Sequence, residues 1–203
     1  MRRSVAYFTF GRFQPPTLGH GLLIGELAAA AESADADAYV FVSSTQDKKK
    51  NPLTVFQKVA WLQRMFPTIN ARFINTTTCL KRYSSEAKAG CRTIFAIVDA
   101  LRSAGYESVN MFVGSDRVGD FSTLLEKAGV EVVGIGAERG NGISGTKMRA
   151  AAAIGDLAGF AAGTGLSETA AGELMAQVQA GMAGGGRRDT YKRRRLRRKT
   201  LKN

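Results

Sequence analysis

Histidine and cysteine are scarce in this sequence, which contains one histidine, His20, and two cysteines, Cys79 and Cys91. The cysteines form no C-x-x-C pair and have no histidine nearby, so neither a structural zinc site nor a disulfide framework is indicated. We therefore expect both to be ordinary thiols. The sequence also contains no Ser-His-Asp arrangement, no set of zinc ligands and no P-loop, which argues against the enzyme classes built on them.

Long hydrophobic runs are absent as well. No apolar run approaches the roughly 18 residues that a membrane-spanning helix needs. The first four residues, Met-Arg-Arg-Ser, lead directly into an apolar run of strand character rather than into a signal peptide. A hydrophobic content of 44% and a charged content of 23% are typical of a globular protein. We expect a cytoplasmic protein with no membrane partner.

Acidic residues are nearly missing from the C-terminal segment. Residues 187–203 contain ten Lys or Arg and only Asp189, so this segment carries +9 of the net charge of +12. The repulsion between its positive side chains and its low apolar content predict that the segment does not fold alone. A polyanionic partner is expected, either nucleic acid or an acidic protein surface. A merely solvated tail is the alternative. We predict a domain over residues 1–183, then a glycine hinge and basic tail over residues 184–203.

Short apolar runs alternate with helical patterns along the remaining chain. Strands are predicted at Val5–Phe10, Tyr39–Ser43, Ala71–Ile74, Val109–Val113 and Val130–Ile135. Helices are predicted at Leu18–Ala31, from Val55 to before Pro67, and at Arg92–Ala104, Phe121–Ala128 and 144–154, followed by two more. This alternation predicts an α/β fold with a parallel five-stranded sheet. The apolar stripe of the last helix, from Ala171 to Met182, is predicted to pack on the domain; a partner-binding helix is the alternative.

Three stretches of chemical character follow predicted strands. They lie at residues 11–20, 114–117 and 143–149. Ligands of parallel sheets bind outside the carboxyl ends of the strands, so the three stretches are expected to meet there. The first joins a strand to a helix start, where backbone N–H groups and the helix dipole favour an anion such as phosphate.

Two of these stretches carry the resemblance to a known family. Residues 11–20, GRFQPPTLGH, resemble the signature G-x-F-x-P-x-[HT]-x-G-H of the nucleotidyltransferase (cytidylyltransferase-like) superfamily. Residues 143–149, ISGTKMR, resemble the I-S-x-T-x-x-R signature of its adenylyltransferases. Thr17 stands where many members have a histidine. The resemblance implies a Rossmann-like sheet with helices on both faces, followed by C-terminal helices. It also implies transfer of a nucleotidyl group to a phosphate-bearing acceptor with release of pyrophosphate.

The resemblance also implies roles for individual residues. Thr17, His20 and Arg149 would be catalytic, binding the triphosphate and stabilising charge at the reacting phosphorus. Lys50 and Asn51 would bind the acceptor, because residues 50–54, KNPLT, resemble a loop of archaeal-type nicotinamide mononucleotide adenylyltransferases; an ordinary solvated loop is the alternative. Mg²⁺ would be carried by the nucleoside triphosphate. The nucleotide-binding residues would be Phe10, Gly11, Arg12, Phe13, Gly114, Asp116, Ser144 and Thr146.

The finer implications concern the substrates and the setting. The form of the second signature favours ATP over CTP. Nicotinamide mononucleotide is the favoured acceptor, and phosphopantetheine and other phosphomonoesters remain open. The motifs together, including AERG at residues 137–140, most resemble proteins encoded by tailed bacteriophages, which implies a place in the host cytoplasm or in a virion. The alternatives are a virion-structural or nucleic-acid-binding protein that retains the fold and docks through its tail, and a regulatory nucleotide-binding module.

Overall fold

The computed structural model describes residues 3–79, 91–136 and 143–184. Five strands and seven α-helices occur in these residues, and strands and helices alternate up to the fifth helix. The strands are β1 (Val5–Gly11), β2 (Asp37–Val42), β3 (Arg72–Asn75), β4 (Ser108–Gly114) and β5 (Glu131–Ile135). The helices are α1 (Leu18–Ser33), α2 (Val55–Met65), α3 (Ile94–Ser103), α4 (Val118–Leu125), α5 (Gly145–Ile154), α6 (Leu157–Thr164) and α7 (Glu168–Ala183).

The strands form one sheet in the order β3-β2-β1-β4-β5, and every neighbouring pair is parallel. The predicted Rossmann-like parallel sheet is therefore confirmed. Strand order reverses between β1 and β4, because the chain builds outward from β1 first on one side and then on the other. Such a reversal leaves a crevice outside the carboxyl ends of the two strands, which is where ligands bind in open α/β sheets.

Side chains alternate between the two faces of the sheet, as extended strands require. In β2, Tyr39 and Phe41 are buried in the cluster formed with α3, whereas Val40 and Val42 are buried in the cluster formed with α1 and α2. Both faces are thus covered by helices, as predicted, and this explains why the strands read as nearly continuous apolar runs.

The last three helices form a separate hydrophobic cluster at the edge of α2. Leu174 and Val178 of α7 are fully buried there together with Phe160 of α6, and they pack near Trp61 of α2. The indole N–H of Trp61 donates to Gln177 Oε1 at 3.0 Å. The predicted packing of the α7 stripe on the domain is therefore confirmed.

The prediction of two ordinary thiols is wrong, because Cys79 and Cys91 form a disulfide with a Cα–Cα distance of 5.4 Å. The turn after β3 brings the two positions together: the backbone N–H of Cys91 donates to the carbonyl of Thr76 at 3.0 Å. A lone pair of cysteines separated by 12 residues matches no framework spacing, so the pattern alone gave no sign of pairing.

Helix starts follow their capping residues. Thr54 Oγ1 accepts the N–H of Gln57 at 3.2 Å and begins α2 as predicted. Thr93 caps α3, which therefore starts two residues later than predicted. A 3₁₀ turn at Ser115–Arg117 leads directly into α4, so that helix begins at Val118 rather than Phe121.

Among the described residues, no helix combines the length and apolar character needed to cross a bilayer. AERG at 137–140 and the basic tail lie outside the described residues.

Candidate active site

The loop that leaves β1 is packed tightly around a phenylalanine. The carbonyl of Gly11 accepts the N–H of Ser43 at 2.9 Å, which ties the end of β1 to the residue that follows β2. Phe13 has a backbone φ of +48°, and its buried ring lies over Gly11. A Cβ at residue 11 would be 2.8 Å from that ring, so only glycine fits. Phe10, just before Gly11, is partly buried against the sheet core.

Thr17 and His20 form the first turn of α1. The backbone N–H of Thr17 donates to Nδ1 of His20 at 3.1 Å, and the Thr17 hydroxyl lies 2.8 Å from the same nitrogen. This is capping-box geometry in which histidine takes the place of the usual glutamate or glutamine. Because Nδ1 accepts a backbone N–H, the neutral ring carries its proton on Nε2. Thr17 itself is buried and orients His20.

Arg149 joins the two motif stretches. Its Nη1 donates to the carbonyl of Gln14 at 2.6 Å, across 135 residues of sequence, and its Nη2 donates to Thr146 Oγ1 at 3.1 Å. The start of α5 approaches the same carbonyl, since a Cβ at Gly145 would lie 2.7 Å from it. Ser144 caps α5 by accepting the N–H of Lys147 at 3.2 Å. The first turn of α5 is therefore packed on the loop that follows β1.

Positive charge is concentrated at this contact. Burial and the nearby charge of Arg12 both lower the pKa of Arg149, and the Asp47 carboxylate partly opposes them. Two guanidinium groups close enough to repel are stabilised by any anion placed between them. Arg12 is exposed, whereas Arg149 is half-buried. The pair is therefore suited to bind a phosphate group that enters from solvent.

A third segment, the Asp47 loop (residues 47–51), lies beside the two motifs. Its carboxylate accepts the backbone N–H of Lys49 at 2.9 Å and of Lys50 at 2.7 Å, and it also accepts from the Asn51 side chain. These hydrogen bonds lower the pKa of Asp47 to about 2, so the carboxylate stays ionised. Asn51 is buried and its Oδ1 has no hydrogen-bond partner among the described residues, whereas Lys50 is exposed.

Gln14 connects the loop after β1 with the segment that carries the Asp47 loop. Its side-chain amide donates to the carbonyl of Leu53 at 2.8 Å and accepts the N–H of Leu53 at 2.9 Å. Both atoms of the amide are thus used, and Gln14 is buried. The Gln14 side chain holds one segment and its carbonyl receives Arg149, so three stretches of chain meet at this residue.

Gly114 and Asp116 lie in the neighbouring turn. Phe8 of β1 pairs with Met111 of β4, so Gly11 and Gly114 stand three residues further along adjacent strands. A Cβ at Gly114 would lie 2.8 Å from Asp116 Oδ1, which shows that the carboxylate folds back over its own turn. Both predicted residues therefore lie at the carboxyl edge of the sheet, beside the Gly11 loop.

Sequence reasoning missed Gln14, Asp47 and Lys58. Lys58 is fully buried, and its ammonium group donates to the carbonyl of Ser43. Burial lowers its pKa to about 8. One signal was available: Lys58 is three residues after Val55 and four before Leu62, on the apolar stripe of α2.

The site residues are brought together by turns at the carboxyl edge of the sheet and by the contact of Arg149 with Gln14. One cavity of about 370 Å³ lies against α4 and β5, and another of about 140 Å³ lies at the amino ends of the strands near Arg3 and Asp37. Neither is lined by a motif residue. Within the described ranges, no three His, Cys, Asp or Glu side chains are grouped to hold a metal ion.

Comparisons with known proteins identify a family and a fold. Residues 8–151 match the cytidylyltransferase-like family. No curated protein gives a significant match.

Solved structures share the fold at low sequence identity. One assigned as a nicotinate-nucleotide adenylyltransferase from Vibrio parahaemolyticus is 17% identical, with a TM-score of 0.59 over 86% of this chain and 99% of that one. The nicotinic acid mononucleotide adenylyltransferase of Plasmodium falciparum, complexed with NaAD, is 11% identical, with a TM-score of 0.52 over 74% and 84%.

A bifunctional NMN adenylyltransferase/ADP ribose pyrophosphatase from Francisella tularensis, complexed with AMP and a manganese ion, is 14% identical, with a TM-score of 0.53. That alignment covers 96% of this chain and 56% of that protein, so this chain spans about half its length. Since the family match covers most of the sequence, including both motif stretches, the chain belongs to the cytidylyltransferase-like family of nucleotidyltransferases.

Proposed function

We propose that the protein transfers the adenylyl group of ATP to a phosphomonoester and releases pyrophosphate. The observation that carries this proposal is the hydrogen bond from Arg149 to the carbonyl of Gln14, because it brings the two motif stretches together. Arg12 lies close enough to affect the pKa of Arg149, so the contact presents two positive groups. The fold of the adenylyltransferase structures supports the same chemistry.

In this reaction an oxygen of the acceptor phosphate attacks the α-phosphorus of ATP. A new P–O bond forms, the bond between the α-phosphorus and its bridging oxygen breaks, and pyrophosphate leaves. Charge spreads over the phosphate oxygens, so the protein acts by positioning and electrostatic stabilisation rather than through a covalent intermediate. We assign the Nε2–H of His20 to the reacting phosphate and the guanidinium of Arg149 to the leaving pyrophosphate. Thr17 keeps His20 in the required orientation.

The other predicted residues complete the assignment. We assign the nucleotide to Phe10, Gly11, Arg12 and Phe13 after β1 and to Gly114 and Asp116 after β4. Ser144 and Thr146 supply the helix start that faces the triphosphate. Lys50 and Asn51 belong to the acceptor side, with nicotinamide mononucleotide as the favoured small acceptor. Mg²⁺ would enter on the triphosphate oxygens and offset their charge.

The resemblance to phage-encoded proteins concerns where the enzyme works rather than its chemistry. A virion-structural role that uses only the fold and the tail is the second candidate. The residues that would favour it, 187–203, lie outside the described part of the chain. The contacts around Gln14 and Arg149 favour the enzyme.

The function is tested by measuring pyrophosphate release from ATP, and separately from CTP, with a panel of phosphomonoesters led by nicotinamide mononucleotide. We expect release that requires both ATP and one acceptor, and less with CTP. ATP binding without release for any acceptor would contradict the proposal and favour the structural role.

A further inference from the structure

The Asp47 loop is closed on itself by hydrogen bonds. The backbone N–H of Asp47 donates to the carbonyl of Asn51 at 2.9 Å, and the N–H of Asn51 donates to the carbonyl of Asp47 at 3.2 Å. The Asp47 carboxylate also accepts backbone N–H groups within the loop. Because the loop is a closed unit, its place relative to the sheet depends on the chain segments that lead into it and out of it.

The segment that leaves the loop is held from two sides. Both backbone polar groups of Leu53 are bonded to the side chain of Gln14, at 2.8 and 2.9 Å. The carbonyl of Pro52 lies against α7, so closely that a Cβ at Gly181 would overlap it. The exit of the loop is therefore fixed to the segment after β1 and to the last helix.

The segment that enters the loop is held at Ser43, the residue after β2. Its backbone N–H donates to the carbonyl of Gly11 at 2.9 Å. Its carbonyl accepts the ammonium group of Lys58. Its hydroxyl donates to Thr45 Oγ1 at 2.9 Å and accepts the N–H of Thr45 at 3.2 Å. The sheet thus fixes the peptide before Ser43, and Lys58 fixes the peptide after it, where the chain turns towards the Asp47 loop.

Packing alone does not explain a lysine at position 58. Lys58 is fully buried in α2, on the stripe that carries Val55 and Leu62, where an apolar side chain would fill the same space. Burial of an ammonium group is unfavourable unless hydrogen bonds compensate for the lost water. The distinctive contribution of Lys58 is therefore its hydrogen bond to Ser43, which ties α2 to the entrance of the loop.

We propose that Lys58 is a positioning residue for the acceptor, because it fixes the place of the Asp47 loop beside the sheet. It has no exposed surface and therefore acts through Ser43 rather than on a substrate. The inference rests on the proposed function, which assigns Lys50 and Asn51 to the acceptor side. The nucleotide residues follow β1 and β4 and are held by the sheet, so Lys58 affects the acceptor and not ATP.

The experiment compares the full-length wild type with Lys58→Met at pH 7, where the buried ammonium group is protonated. Methionine is a flexible side chain that fills the buried space but cannot donate to Ser43. Leu62→Val is the matched control, because Leu62 is equally buried on α2 and has no hydrogen-bonding side chain. Trp61 is the only tryptophan, and its fluorescence reports whether α2 is folded in each variant.

The first measurement is cleavage of the loop by trypsin, followed by mass spectrometry. Lys49 and Lys50 are exposed and offer trypsin cleavage sites within the loop. Loss of a hydrogen bond from a charged donor changes a local opening equilibrium about tenfold or more. We expect Lys58→Met to be cut at these sites about tenfold faster than the wild type, and Leu62→Val to be cut at the wild-type rate. Equal cleavage of Lys58→Met and the wild type would overturn the inference, whatever the enzymatic result.

The second measurement is the steady-state kinetics of adenylyl transfer to nicotinamide mononucleotide. We expect Lys58→Met to raise KM for this acceptor about tenfold or more and to change KM for ATP by less than about threefold. An unchanged KM for the acceptor, or an equal rise in both KM values, would overturn the inference. Faster cleavage of Lys58→Met, with no transfer by the wild type to any phosphomonoester, would overturn the proposed function and the acceptor role while the anchoring of the loop by Lys58 stands.

Discussion

At the scale of single residues, the site consists of groups whose orientation is fixed before any ligand arrives. His20 is held by two contacts from Thr17 to Nδ1 and by the ring of Phe13, whose centroid is 4.9 Å from its own. Arg149 is held by Gln14 and Thr146. Fixed donors of this kind stabilise developing charge without reorganising during the reaction.

Replacing His20 by Ala removes the Nε2–H that we assign to the reacting phosphate. We expect the variant to lose about 2 to 4 kcal/mol of transition-state stabilisation. This loss corresponds to a decrease of roughly 30- to 1000-fold in kcat/KM for adenylyl transfer. Lys147→Ala is the matched control, because Lys147 is an exposed lysine of α5 that the proposed mechanism does not use. Turnover unchanged by His20→Ala would rule out the role given to this residue.

The buried Lys58 gives a prediction for stability against pH. Its pKa is lowered from 10.5 to about 8 by burial, so between these values the unfolded chain binds a proton that the folded protein does not. The wild-type free energy of unfolding therefore gains up to about 3 kcal/mol as pH rises through this window. The Lys58→Met variant lacks this gain. Its free energy of unfolding, compared with that of the wild type at the same pH, should therefore be more favourable below pH 8 than near pH 10. Denaturant unfolding at several pH values measures the difference, and a difference independent of pH would contradict the assignment.

At the scale of elements, the site depends on how loops are attached to the sheet and to the C-terminal helices. The loop after β1 is bonded to Ser43 after β2, to Leu53 before α2 and to Arg149 of α5. The buried ring of Phe13 at Gly11 and the carbonyl of Gln14 at Gly145 leave no room for a side chain. These elements come from distant parts of the chain, so the site forms only when the fold is complete.

The Cys79–Cys91 disulfide ties the turn after β3 to the segment before α3. Closing a loop of this length removes entropy from the unfolded chain and is expected to contribute about 3 kcal/mol. We expect reductant to lower the melting temperature of the wild type. The double variant Cys79→Ser and Cys91→Ser should melt like the reduced protein and be insensitive to reductant. A wild type that melts identically with and without reductant would speak against the disulfide.

At the scale of the whole molecule, strand order brings the motif stretches together, and much of this was predictable. Apolar runs such as that of β2 predicted the strands, and the pattern of residues 18–31 predicted the start of α1 at Leu18. The contact between Arg149 and Gln14 was not predictable from spacing, because it depends on how α5 packs after the sheet has formed. The paired cysteines were missed for the same reason, because their pairing depends on tertiary surroundings that local patterns do not encode. Lys58 was missed although its position on the apolar stripe of α2 was a local signal of burial.

The most direct measurement follows the two ends of the triphosphate separately. ATP labelled with ³²P at either the α- or the γ-phosphorus is incubated with the protein and the acceptor that supports turnover. Nucleotidyl transfer predicts α-label in the acceptor product and γ-label in pyrophosphate. Transfer of γ-label to the acceptor would identify a phosphoryl transferase instead, and failure of every acceptor to take up α-label, despite ATP binding, would contradict the enzymatic function.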